Sequence, residues 1–182
     1  MSGQRLVIDA CSAINLLATG REVELLRAVD FRGIITPEAR AEVVFLAGPL
    51  GDDGAKTKIL IDMTPLDHAG LIETLPLDGS CIDEFIRCAV RLRDVDAGCL
   101  ALAASLGLPL LTDDGKARRV FKELYPDGRT LSTLQLVRQA AATLSLDEDT
   151  ISRLLHNMHE RGNFSPPRSD PESDWYRSYI KE

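Results

Sequence analysis

Short apolar runs alternate along the chain with longer stretches in which apolar residues recur every three or four positions, the pattern of strands interleaved with helices. Leu6-Val7-Ile8, Gly33-Ile34-Ile35-Thr36 and Pro109-Leu110-Leu111-Thr112 are the strand-like runs, apolar almost throughout, as in strands covered on both faces of a parallel sheet. Arg129-Thr130-Leu131-Ser132 predicts a last short strand, and Ile59-Leu60-Ile61-Asp62-Met63 a short edge strand. Helices are expected after Ser12 to about Ala18, over 22–29, from Thr36 to about Leu46, and over 67–75, 81–92, 96–106, 115–124 and 133–144, with one more ending near Arg161. The third opens with Thr36-Pro37-Glu38: a hydroxyl to cap it, a proline for its first turn and an acid beside it. Gly48 to Gly54 is a loop by composition. The tail from Gly162 is rich in proline, serine and charge yet carries the chain's single tryptophan, Trp175, so it reads as an arm that packs on its own body or on a partner.

What the strands end in matters more than how many there are. Leu6-Val7-Ile8 stops at Asp9, and Leu110-Leu111-Thr112 stops at Asp113-Asp114. In an open α/β sheet, ligands occupy the crevice beyond the carboxyl ends of the strands, so two parallel strands would deliver these acids to one edge. A single Asp after a strand most often caps the next helix. Two strands ending alike shift the balance, because gathered carboxylates repel unless a cation stands among them or one is protonated. For an all-oxygen site the natural cation is Mg²⁺ or Mn²⁺. Glu42, inside the third helix, and Asp96, at the start of the small-residue helix of Ala97, Gly98 and Ala101, can each be read as an ordinary helix acid or as a further ligand.

The 182 residues suffice for one domain or one domain with an extension. No stretch approaches the ~20 apolar residues of a membrane helix, and Met1-Ser2-Gly3-Gln4-Arg5 runs straight into the first strand without a signal peptide, so a cytoplasmic protein is expected, with no membrane partner. Cys11, Cys81, Cys88 and Cys99 have no zinc-site spacing and are expected to stay reduced. A net charge of −7 argues against gripping nucleic acid by overall charge. It leaves room for local contacts, and Lys116, Arg118 and Arg119, just past the acids, are candidates to hold phosphates, though a solvated helix face reads the same way.

Three stretches carry a resemblance: residues 6–17 with Asp9, residues 35–43 with Glu42, and residues 96–103 through 111–114 with Asp96 and Thr112-Asp113-Asp114. In order and separation they resemble the PIN domain of metal-dependent ribonucleases, and among those the VapC toxins of bacterial toxin–antitoxin modules. The resemblance implies a three-layer α/β/α sandwich with a central, mostly parallel sheet over residues 1–145, followed by a C-terminal helix and extended arm over 146–182. It implies Asp9, Glu42, Asp96 and Asp114 as the acidic quartet holding one or two Mg²⁺ or Mn²⁺ ions, with Asp113 as a further ligand and Ser12 beside the substrate; which of Asp113 and Asp114 faces the metal is left open by the sequence. It further implies an endoribonuclease acting on single-stranded RNA, an antitoxin protein as partner and a homodimer. Where that family usually has Ser, Thr or Asn two residues after the first Asp, this chain has Cys11, with Ser12 one position late. The arm after Gly162 has no counterpart there.

Two other readings stay open at this level. A PIN-like fold that no longer cleaves would serve as an RNA- or protein-binding module. An aspartate-nucleophile phosphatase is disfavoured, because Asp9 is followed by Ala10-Cys11 and not by a second acid two residues on.

Overall fold

The computed structural model describes residues 3–180; Met1, Ser2, Lys181 and Glu182, the outer ends of the expected N-terminal lead-in and of the arm, lie outside the described residues. Five parallel strands form the central sheet: β1 (Gln4–Ile8), β2 (Phe31–Ile35), β5 (Ile72–Thr74), β6 (Leu110–Leu111) and β7 (Thr130–Leu131), in the order β5-β2-β1-β6-β7. Two more, β3 (Phe45–Leu50) and β4 (Lys56–Leu60), make a separate antiparallel hairpin. The helices are α1 (Ala10–Ala18), α2 (Glu22–Ala28), α3 (Pro37–Glu42), α4 (Thr64–His68), α5 (Ile82–Ala89), α6 (Asp94–Leu106), α7 (Gly115–Leu124), α8 (Thr133–Thr143), α9 (Glu148–Arg161) and α10 (Ser173–Tyr179). They cover both faces of the sheet, giving the expected three-layer α/β/α sandwich.

The apolar runs explain the sheet's interior. Leu6, Val7, Ile8, Ile34, Ile35, Leu110 and Leu111 are all but completely buried. β1 lies at the centre, with Leu6 opposite Gly33 in β2 and Ile8 opposite Leu111 in β6. Gly33 is glycine for want of room: a Cβ there would stand 2.4 Å from Ile8 Cδ1. Chain direction out of β1 reverses at this point, since β2 and β5 lie on one side of it and β6 and β7 on the other. The crevice between the carboxyl ends of β1 and β6 is therefore the sheet's switch point, the place where this kind of fold holds ligands.

Between Glu42 and Asp78 the sequence misleads. The helix expected to reach Leu46 ends at Glu42, and Phe45–Leu50 forms β3, which pairs with Lys56–Leu60; the expected loop keeps its turn at 51–54 but gives 48–50 to β3, and of the expected edge strand only Ile59 and Leu60 fall in β4. Val43, Val44 and Phe45 favour extended backbone, but the pairing that decides the matter comes from residues more than ten positions away. The expected helix over 67–75 is instead the single turn of α4, a break at Gly70 with φ +63°, and β5. β5 is extended because β2 offers it a ladder, with Gly33 N–H donating to Leu71 O at 2.8 Å.

The tail joins the body. Phe164, Tyr176 and Ile180 belong to the same buried cluster as Leu154, Leu155 and Met158 of α9. The Phe164 and Tyr176 rings meet edge to face at 5.7 Å, and the Tyr176 hydroxyl donates to Phe164 O. Arg138 of α8 reaches both Glu172 and the ring of Trp175. Among the described residues no helix is long and apolar enough to cross a membrane.

Candidate metal centre and nucleic-acid interface

Each acid at the crevice is positioned by the end of a secondary-structure element. Asp9 leaves β1 as the N-cap of α1, its Oδ1 accepting the Ser12 amide at 2.7 Å. The helix therefore starts at Ala10, ahead of Ser12, after which it was expected. Only 4 % of Asp9 is exposed. Burial pushes its carboxyl up from 3.8 to about 6, against hydrogen bonds from Thr112 and Ser12 that favour the ionised form. Ser12 itself is wholly buried, close to Asp9, with its Oγ at bonding geometry to no acceptor. As placed, it acts on the crevice through Asp9 and has no surface to offer a substrate.

The two acids after β6 part company. Asp113 turns back into the protein: Asn15 Nδ2 donates to its Oδ2 at 2.8 Å, Thr133 Oγ1 to the same oxygen at 2.6 Å, and Thr133 N to its Oδ1 at 2.8 Å. That carboxylate ties α1, the end of β6 and the start of α8 together. Burial raises its pKa and the Thr133 and Asn15 bonds oppose the rise. Asp114 faces solvent and caps α7, with Lys116 N and Ala117 N both donating to Oδ1. Its Oδ2 has no hydrogen-bond partner among the described residues, so of the two Asp114 has the oxygen to spare.

Asp96 occupies the first turn of α6, where the helix dipole favours a carboxylate. It pairs with Arg93, the N-cap residue, at 3.2 Å. Glu42 is the last residue of α3, the end at which the dipole disfavours an acid, and its exposed carboxylate makes no hydrogen bond or ion pair among the described residues. The Arg93 guanidinium feels Asp96 and Glu42 together; the Cys99 thiol in α6 feels Asp9, Asp96 and Glu42; and the Cys11 thiol feels Asp9, Asp96, Asp113 and Asp114. All five acids thus border one neighbourhood. Burial first, and then this negative field, push the Cys11 thiol up to about 11.

The donor set is all oxygen, it carries more negative charge than Arg93 balances, and its most buried member is held near pH 6; each property suits a hard divalent cation. The spacing is wider than a finished coordination sphere: among the described residues no three His, Cys, Asp or Glu side chains are gathered closely enough to hold a metal ion. Occupancy would require the side chains to draw inward.

Of the basic residues after the acids, Lys116 and Arg119 are exposed and without an ion-pair partner among the described residues. Arg118 is engaged: its Nη2 donates to Thr112 O at 2.9 Å and lies 3.7 Å from Asp170 of the arm, so a phosphate would have to displace Asp170. Sequence reasoning passed over Arg93, whose signal was its three-residue offset from Asp96, and Asn15 and Thr133, whose role depends on where Asp113 turns. Comparison of the chain with protein-family models and with curated protein sequences returns no match.

Proposed function

We propose that the protein is a divalent-metal-dependent endoribonuclease, hydrolysing RNA phosphodiester bonds at the crevice between β1 and β6. The observation that supports this reading is that acids from four separate stretches, Asp9, Glu42, Asp96 and Asp114, border one region beyond the carboxyl ends of β1 and β6, where the same thiols and the Arg93 guanidinium feel them, though they stand wider apart than a coordination sphere. Asp9 is desolvated there at a cost to the fold that helix capping alone does not require. Asp114 Oδ2, Glu42 and Asp96 would join it as ligands of Mg²⁺ or Mn²⁺. A cation held there supplies the Lewis-acid part of the hydrolysis. Arg93 is placed to exchange Asp96 for a phosphate oxygen, and Lys116 and Arg119 to steer the strand toward the crevice despite the chain's net charge of −7. Asp113, saturated by three hydrogen bonds, acts by holding α1 and α8 in place.

On the same reading the protein is a cytoplasmic toxin of a toxin–antitoxin pair, acts as a homodimer, and is silenced by a partner that covers the crevice. A small DNA-binding protein encoded beside it would support this.

A second reading, a PIN-like module that binds RNA or protein without cleaving, draws on the wide spacing of the acids and on the employment of Asp9, Asp113 and Asp114 in structural hydrogen bonds. Cleavage of single-stranded RNA with Mg²⁺ or Mn²⁺, by wild type and by Asp9→Asn and Asp96→Asn, separates the two. The nuclease reading expects loss of at least two orders of magnitude in both variants, and equal activity in all three proteins would remove it.

A further inference from the structure

Beside the acids, α1 and the first residues of the arm enclose a cleft of about 230 Å³, lined on one side by Cys11, Ile14, Asn15 and Asp113 and on the other by Gly162, Asn163, Phe164, Ser165 and Pro167. We propose that this cleft is a subsite for a single nucleobase of the RNA strand next to the bond being cleaved, an inference that rests on the nuclease reading. Its position supplies the first reason. Cys11 stands two residues after Asp9 and within electrostatic reach of Asp9, Asp96, Asp113 and Asp114, so the cleft opens where the acids are.

Size and charge narrow the occupant. The volume falls below the ~300–1,000 Å³ of pockets for drug-sized ligands, enough for one flat ring system. The acids within reach of Cys11 make this a poor place for a phosphate, so the part that enters is uncharged. Ile14 and Pro167 supply apolar flanks, while Asn163 and Ser165 are exposed and their side chains have no hydrogen-bond partner among the described residues. An amide that can donate and accept in one plane matches the edge of an unstacked base, the part of single-stranded RNA that proteins read.

The cleft is also built with care. A Cβ on Gly162 would stand 2.8 Å from Met158 O and 3.0 Å from Asn15 Oδ1, so glycine lets the arm start hard against α1. Asn163 then takes φ +52°, a left-handed conformation that Asn tolerates better than most residues. The opposite wall is equally fixed, because Asn15 is held by Asp113 and Asp113 by Thr133.

The test uses the full chain with Asp9→Asn, which the nuclease reading expects to bind without cutting, and a fluorescent single-stranded RNA in which one base at a time is replaced by an abasic site. Affinity is read by fluorescence anisotropy for this parent and with Asn163→Gly or Ser165→Phe added. Asn163→Gly removes the amide while keeping the left-handed backbone, Ser165→Phe fills the cleft, and thermal melts establish that both fold. The expected result is a loss of affinity on the order of tenfold in each variant, matched by an abasic site at one position near the scissile bond, with no further loss when that abasic site meets Asn163→Gly. Equal affinity in all three proteins, or abasic effects that stay additive with Asn163→Gly at every position, would overturn the subsite while leaving metal-dependent cleavage by the wild type standing. If the wild type does not cleave RNA, the nuclease reading itself has failed, and the subsite fails with it.

Discussion

Asp9 shows what a desolvated carboxylate does to the fold that carries it. With its carboxyl at about 6 in the folded protein against an ordinary 3.8, the folded state holds this proton more tightly than the unfolded chain does. The resulting stabilisation is complete below pH ~4, is lost as pH rises through about 6, and at neutral pH leaves an ionised, desolvated group costing up to about 3 kcal/mol. Asp9→Asn, which keeps an oxygen for the Ser12 amide, should therefore raise stability at pH 8 by about 1–3 kcal/mol, the gain shrinking toward zero near pH 4; urea unfolding at both pH values checks this. Asp113 is raised by burial too, but it differs in taking three hydrogen bonds that tie separate elements together. Asp113→Ala would strand the Thr133 amide and hydroxyl and the Asn15 amide, and should cost about 2–4 kcal/mol, read as a lower denaturation midpoint. The two acids look alike in sequence, each an aspartate at the end of an apolar strand, and only their bonds separate them.

Among the elements, helix N-termini organise the crevice. α1, α6 and α7 all begin at the carboxyl edge of the sheet, and each holds an acid in its cap or first turn, so the side chains proposed as metal ligands also serve the helix N-termini. Asp114 allows them to be pulled apart. Asp114→Asn retains a capping oxygen and should leave the melting temperature within a few degrees while abolishing metal-dependent cleavage, whereas Asp114→Ala should also cost about 1 kcal/mol; paired melts and cleavage assays check both. The elements legible in sequence were those whose signals are local. α3 began where Thr36-Pro37-Glu38 said it would, and α6 ran to its left-handed C-cap at Gly107. β3, β4 and β5 were misread because short strands are held by ladders to partners that local periodicity does not reveal.

For the molecule as a whole, the arm is part of the body that carries the site. It adds Phe164, Tyr176 and Ile180 to the core, supplies Asp170 to Arg118 and forms one wall of the cleft beside the acids. Burying three such side chains contributes about 5–9 kcal/mol, comparable with the ~5–15 kcal/mol that separates folded from unfolded domains. A chain ending at Arg161 should accordingly lose cooperative unfolding near 37 °C, as followed by circular dichroism. Alternating apolar runs were enough to determine an α/β sheet protein with acids at its strand ends, because burial on both faces and the position of a residue after a strand are properties of consecutive residues. Which acid turns inward, how far apart the others stand, and that the tail closes over α1 were decided by tertiary structure, because each depends on groups scores of residues apart, such as Asn15, Asp113 and Gly162, coming within a few ångströms of one another.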